Sequence, residues 1–134
     1  MKTIQVVASI IHQDGKILAT QQGYDEYKGL WEFPGGKMEP GETEEQAIVR
    51  EIRVELNVET GVEKKVCTVE YDYPAFHLTM HCFWCHIHSG VLELKEHLSA
   101  RWLSPSEWES VEWLPADVLV IDALKKSFQS NQIS

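Results

Sequence analysis

Glu51 and Glu55 stand four positions apart in a segment whose apolar residues recur with a helical period. Residues at that spacing share one face of an α-helix, so the two carboxylates project together. Like charges placed this way repel and slightly weaken a helix. A hard divalent cation turns the repulsion into coordination, because Mg2+ prefers carboxylate oxygen. Upstream, Gly35-Gly36 lets backbone carbonyls and amides approach a ligand closely. Glu42 lies just ahead of the helix, in reach of the same acidic group, and Arg50 can hold a carboxylate through a two-pronged hydrogen bond. The chemistry this set can do is metal-assisted hydrolysis of a phosphorylated substrate, with cations between an acidic pocket and a polyanion. Acidic residues on surface helices are usually just solvated. That reading is kept for Glu39, Glu44, Glu45 and Glu59.

The same residues resemble the signature of the Nudix family. That signature is a glycine, five residues, a glutamate, seven residues, then Arg-Glu-aliphatic-any-Glu-Glu-any-Gly-aliphatic. Gly36, Glu42, Arg50, Glu51, Ile52, Glu55 and Val58 match it at the required spacing. The run Trp31-Glu32-Phe33-Pro34-Gly35-Gly36-Lys37 and the stretch around Pro115-Ala116-Asp117 look like the MutT-type branch. Two positions depart from the pattern. Asn57 replaces the family glycine, which is benign because Asn tolerates the left-handed conformation. Val54 replaces the first glutamate of the Glu-Glu pair, a position that can supply a metal ligand in this family, so its loss is expected to weaken or remove one of several metal sites.

The resemblance implies an α+β fold, the Nudix α/β/α sandwich with a mixed sheet between helices. It implies a Mg2+-dependent hydrolase, with Mn2+ as a substitute, that converts a nucleoside triphosphate to the monophosphate and diphosphate. Glu51, Glu55, Glu96 and the Gly35 carbonyl are then the metal ligands. Glu51, Glu55, Glu96 and Arg50 form the catalytic set, with Gly36 and Glu42 behind it. Glu96 is the positional match for a loop glutamate that joins the site in MutT-like relatives. A solvated carboxylate beside Lys95 is the competing reading of Glu96, and Glu51 is the other candidate base, so that assignment stays open. Substrate contacts are assigned to Gln22, Glu32, Phe33, Pro34, Gly35, Lys37 and Asp117. Gln22 stands where some relatives carry an arginine, which puts purine stacking there in doubt. Trp31 and Phe33 alternate in direction, so one of them can face a pocket. Asp117 either reads the base, accepting from an amino or ring N–H when ionised, or caps the last helix. The substrate implied is a pyrimidine or damaged nucleotide. Two alternatives stand beside it: a nucleotide-binding regulatory module whose catalysis is weakened, and a hydrolase of nucleotide sugars or dinucleotides.

These groups need elements to carry them. Residues 3–12 predict a buried strand, Asp14-Gly15 a hairpin turn, and 16–21 a second strand. Residues 23–29 read as a loop. Residues 30–33 read as a strand stopped by the turn Pro34-Gly35-Gly36. Ala47, Ile48, Ile52 and Leu56 share one face of a helix capped by Thr43 with Gln46 and stopped at Asn57. Strands are expected over 62–73 and 77–88, joined across Pro74-Ala75, and over 101–103. Val118, Ile121, Ala123 and Leu124 mark a closing helix. The histidines of the 81–88 segment are read as strand residues, some near the cleft. Cys82 and Cys85 point to opposite faces, a poor arrangement for zinc.

The 134 residues suit one domain over 1–134. A net charge of −9 disfavours stable nucleic-acid binding, which needs surplus Lys and Arg. No apolar run is long enough to span a bilayer, and no signal peptide is legible. Three cysteines suit a reducing cytoplasm. The expected assembly is a monomer or homodimer.

Overall fold

The computed structural model describes the backbone of residues 1–133 and the side chains of residues 1–127. Strand β1 (Lys2–Gln13) turns through Asp14 and Gly15, both with positive φ, into antiparallel β2 (Lys16–Gln21). Such a two-residue turn matches the right-handed twist of the flanking strands. Strand β3 (Trp31–Glu32) pairs antiparallel with β2. The expected glycine turn is instead a short strand, β4 (Gly35–Lys37), antiparallel to β1 with Ala8 opposite Gly35 and Val7 opposite Gly36. Tertiary pairing overrode the local glycine signal, since β1 offered an open edge.

Helix α1 (Glu44–Leu56) begins at Thr43, whose side chain accepts from the Gln46 N–H while Gln46 returns a bond to the Thr43 N–H. It ends at Asn57 in the left-handed conformation, φ 60°. Strands β5 (Val58–Tyr73) and β6 (Phe76–Gly90) form a long antiparallel hairpin. Strand β6 also runs parallel to β1, and β7 (Ser99–Leu103) is antiparallel to β2. The sheet order is β3-β2-β1-β6-β5, with β4 on β1 and β7 on β2. A 3-10 turn at Pro105–Glu107 precedes helix α2 (Pro115–Ile133).

The helices cover opposite faces of the sheet. Ala47, Ile48, Ile52 and Leu56 of α1 pack on Val7, Ile11, Leu18 and Cys85. Ala116, Val120, Ile121 and Leu124 of α2 pack on Ala8, Ile10, Ile17 and Cys82. Alternate residues of β1 and β6 therefore serve different cores, and Cys82 and Cys85 lie on opposite faces. Burying Ile48 or Ile52 completely contributes ~1.5–3 kcal/mol each. Val118, expected on the packed face of α2, is exposed, and Val120 takes its place. Of the carboxylates read as solvated, Glu44 pairs with Lys65 at 2.9 Å and Glu59 with Arg53 at 2.7 Å. Among the described residues no helix is long and apolar enough to cross a membrane.

Candidate active site

Strand β4 brings the glycines under the helix. A Cβ on Gly35 would run into the Val7 carbonyl oxygen, so the β1–β4 pairing requires glycine there. A Cβ on Gly36 would lie 2.5 Å from Glu51 Oε2, so this glycine leaves the space that the carboxylate fills. Glycine permits such close approaches because it has no side chain.

Arg50 fixes the approach to the helix. Its Nε and Nη2 donate to Glu42 Oε2 and Oε1 at 2.6 and 2.9 Å, a bidentate pair. Nη2 also donates to the Lys37 carbonyl at 2.9 Å, and Nη1 to Glu51 Oε1 at 2.8 Å. One guanidinium thus ties together β4, the loop before α1 and the carboxylate over Gly36. It holds the Glu42 carboxyl down to about 2. Arg50 does not line the cleft and contacts it through Glu51.

The cleft itself has a volume of about 350 Å3 and is lined by Gln22, Tyr24, Glu32, Gly35, Gly36, Lys37, Glu51, Glu55, Glu96 and His97. Four carboxylates therefore surround one space. Burial, then the neighbouring charges of Glu51 and Glu32, pushes the Glu55 carboxyl up to about 9. Its buried Oε2 receives no hydrogen bond from any described residue. The nearest basic group is the His97 imidazole, with Nε2 3.8 Å from Oε2, and a divalent cation among these carboxylates would offset their mutual repulsion. Among the described residues no three His, Cys, Asp or Glu side chains already converge as a ready ligand set. The oxygen-rich donors fit a hard cation such as Mg2+, which keeps several waters and takes few protein ligands. Val54 is 59% exposed and lies outside the cleft lining.

A second cavity, about 220 Å3, adjoins the first and shares Glu32, Gly35 and Gly36 with it. Its walls are Tyr27, Phe33, Tyr73, Phe76, Leu78, Met80, Leu114 and Ala116, with Asp117 among them. Phe33 stacks on Trp113 with centroids 4.7 Å apart, which fixes its ring. Asp117 is 4% exposed and its Oδ1 accepts the Phe33 N–H at 2.9 Å. Its side chain reaches the backbone of the residue that follows β3, which favours the pocket reading over the helix cap. Burial pushes this carboxyl well above the usual carboxylate range, with Glu32 adding to the shift. The shift favours the protonated form, in which the carboxyl offers one donor and one acceptor.

Most residues singled out from sequence meet here: Gln22, Glu32, Phe33, Gly35, Gly36, Lys37, Glu51, Glu55, Glu96 and Asp117. Pro34 does not line either cavity; it is buried with its carbonyl bonded to the Ser9 N–H. Glu42 stands behind Arg50. The strand histidines are elsewhere, His81 on Gln5 and His86 on Glu63. The cleft histidine is His97, which adjoins Glu96 in sequence but carried no spacing signal of its own. Tyr73 and Phe76 were also missed as pocket walls. Their signal was the cluster of aromatic residues at the β5–β6 turn, legible only once that hairpin is laid over β1.

The NUDIX domain family description matches residues 6–123. A CTP pyrophosphohydrolase of Escherichia coli is 40% identical over 124 residues, covering 92% of each chain. An 8-oxo-dGTP diphosphatase of the same organism is 32% identical over 128 residues, 94% of this chain and 99% of the relative. The solution structure of the E. coli ORF135 protein superposes with a TM-score of 0.82 at 39% identity, covering 94% of this chain and 91% of that one. With the signature residues gathered around one carboxylate cleft on the matching fold, the chain belongs to the Nudix family, in its MutT-like branch, and is a hydrolase of phosphoanhydride bonds.

Proposed function

We propose that the enzyme hydrolyses a nucleoside triphosphate to the monophosphate and pyrophosphate, with a cytidine nucleotide as the preferred class. The observation that carries this reading is the pair of adjoining cavities, one acidic and one aromatic, joined at Glu32, Gly35 and Gly36. An aromatic slot with one polar group at its wall suits a nucleobase. In the protonated form that burial favours, Asp117 would match the cytosine edge, donating to N3 and accepting from the N4 amino group. The same donor–acceptor pair matches O6 and N1–H of a guanine, so an oxidised guanine nucleotide is the second reading. The similarity to a CTP pyrophosphohydrolase supports the first and the similarity to an 8-oxo-dGTP diphosphatase the second.

Glu51, Glu55, Glu96 and the Gly35 carbonyl would hold Mg2+, which when bound offsets phosphate charge and favours deprotonation of water. Lys37 lines the cleft and sets a positive charge against the polyphosphate. Arg50 keeps Glu51 in place while water attacks phosphorus and pyrophosphate leaves. Among the described residues Glu96 has no hydrogen-bonded partner on its carboxylate, whereas Arg50 occupies Glu51 Oε1. That difference favours Glu96 as the group that takes the proton from water. Such a reaction depends on positioning and charge stabilisation more than on covalent participation by the protein.

The test is pyrophosphate release by the purified enzyme, with and without Mg2+, on the common nucleotides, 8-oxo-dGTP, 5-hydroxy-dCTP, a nucleotide sugar and a diadenosine polyphosphate. Metal-dependent release from a cytidine triphosphate is expected. Recovery of every nucleotide intact, with binding retained, overturns the reading in favour of a binding module.

A further inference from the structure

Glu32 lies where the two cavities meet. Gly35 and Gly36 meet there too, but only Glu32 brings a side chain to the junction. Its charge acts on Glu55 at one end and on Asp117 at the other. A nucleotide with its base against Asp117 and its phosphates beside Glu55 must pass its sugar over this carboxylate. The residue is held from both sides, its backbone by Thr20 and its carboxylate by His97. Thr20, itself fully buried, pairs with Glu32 across β2 and β3 and donates from Oγ1 to its carbonyl at 3.2 Å. His97 Nε2 lies 3.2 Å from Glu32 Oε2, and the imidazole side chain is only 4% exposed. The loop that carries His97 is tied down in turn. The Leu98 N–H donates to the Gln21 carbonyl at 3.0 Å, and a Cβ on Gly23 would lie 2.5 Å from the Glu96 carbonyl oxygen. His97 Nδ1 has no partner among the described residues, and Nε2 faces Glu32 Oε2, with Glu55 Oε2 farther away at 3.8 Å.

We propose that Glu32, aimed by His97, accepts a hydrogen bond from a sugar hydroxyl of the bound nucleotide and so sets the enzyme's discrimination among ribo-, deoxy- and dideoxynucleotides. The inference rests on the proposed nucleoside triphosphate reading. A carboxylate is an acceptor and a sugar hydroxyl is a donor, so the pairing is chemically matched. Oε2 faces the imidazole and Oε1 is left for the ligand. His97 acts through Glu32 and is a positioning residue. Holding the acceptor in place before binding reduces the ordering cost when the ligand arrives.

The experiment measures kcat/KM for CTP, dCTP and 2′,3′-dideoxy-CTP, and for the matching guanosine series, in the wild type, Glu32→Gln, His97→Leu and His97→Gln. In the wild type, removing the hydroxyl that Glu32 reads is expected to lower kcat/KM roughly tenfold or more, as for loss of one charge-assisted hydrogen bond. Glu32→Gln exchanges the charged acceptor for a neutral amide, whose hydrogen bond to a sugar hydroxyl is weaker, so the spread among the three sugars narrows. His97→Leu reduces the spread in the same direction, and His97→Gln, whose side-chain amide can donate in place of Nε2, restores it. A general structural defect would lower all three substrates together and leave their ratios unchanged. Unchanged ratios in Glu32→Gln overturn the proposal. So does equal kcat/KM on all three sugars in the wild type, whatever the variants do. A Glu32→Gln effect confined to the Mg2+ concentration dependence, with the sugar ratios intact, makes Glu32 a metal-side group and also overturns it. No turnover of either series by the wild type sinks the proposed function, and this inference with it.

Discussion

Glu55 joins the chemistry of the cleft to the stability of the chain. Its carboxyl is raised from 4.5 to about 9 by burial and by Glu51 and Glu32. The folded protein therefore keeps a proton that the unfolded chain releases at lower pH. The stability contribution is fully present below the unfolded value and is lost as pH rises through the folded one. Without metal, the melting temperature should fall as pH rises from about 6 to about 8. Asp117, also raised, acts in the same direction. Glu55→Gln has no proton to lose and should flatten part of that slope; scanning calorimetry of both proteins in EDTA checks it, and an unchanged slope would refute the burial argument. The same variant should lose nearly all turnover while remaining folded, because a neutral amide is a poor Mg2+ ligand. Near-wild-type turnover would remove Glu55 from the metal site. Val54→Glu should maintain or raise turnover, since the exposed Val54 side chain can be exchanged for a charged one without cost to the core. A large loss of activity in a folded Val54→Glu protein would count against a metal role for that position.

The short strand β4 and helix α1 have to meet closely for any of this to work. Gly35→Ala sets a Cβ against the Val7 carbonyl, a backbone atom that cannot move without opening the β1–β4 pairing. A loss of ~1–3 kcal/mol is expected, as for other overpacked sites, together with a large fall in activity. Thermal unfolding read beside turnover checks it, and an Ala variant with wild-type stability would show that β4 can shift freely. The helix start is more forgiving. Thr43→Ala removes the side-chain half of the capping box and should cost ~1 kcal/mol, roughly 3–5 °C in Tm. An unaltered Tm would mean that water replaces the cap at no cost.

Taken as one body, the protein carries a net charge of −9 and yet presents four glutamates to one cleft. Bringing a polyphosphate there without cations would add repulsion to repulsion. Mg2+ alone, without nucleotide, should therefore raise Tm, and more so at higher pH as Glu55 ionises. The shift should disappear with EDTA and shrink in Glu55→Gln. A Tm indifferent to Mg2+ at every pH would mean that the carboxylates do not bind metal in the free enzyme.

The sequence by itself determined what depends on near neighbours along the chain. The spacing of Glu51 and Glu55 placed them on one helical face. Thr43 with Gln46 marked the start of that helix, Asn57 its end, and Asp14-Gly15 the hairpin, because these depend on local hydrogen bonds and φ angles. The signature around Gly36, Glu42 and Arg50 carried the family with it. The tertiary structure alone decided that Gly35 and Gly36 form a strand, since that needs β1 alongside. It decided that Asp117 reaches the Phe33 N–H, 84 positions away, and that burial there raises the acid despite that hydrogen bond. It also decided that His97 meets Glu32, and that the aromatic residues of β5 and β6 close a pocket beside the glutamates. Proximity and desolvation of this kind arise from contacts between distant segments. No pattern of spacing records them, because they exist only after the sheet has brought those segments together.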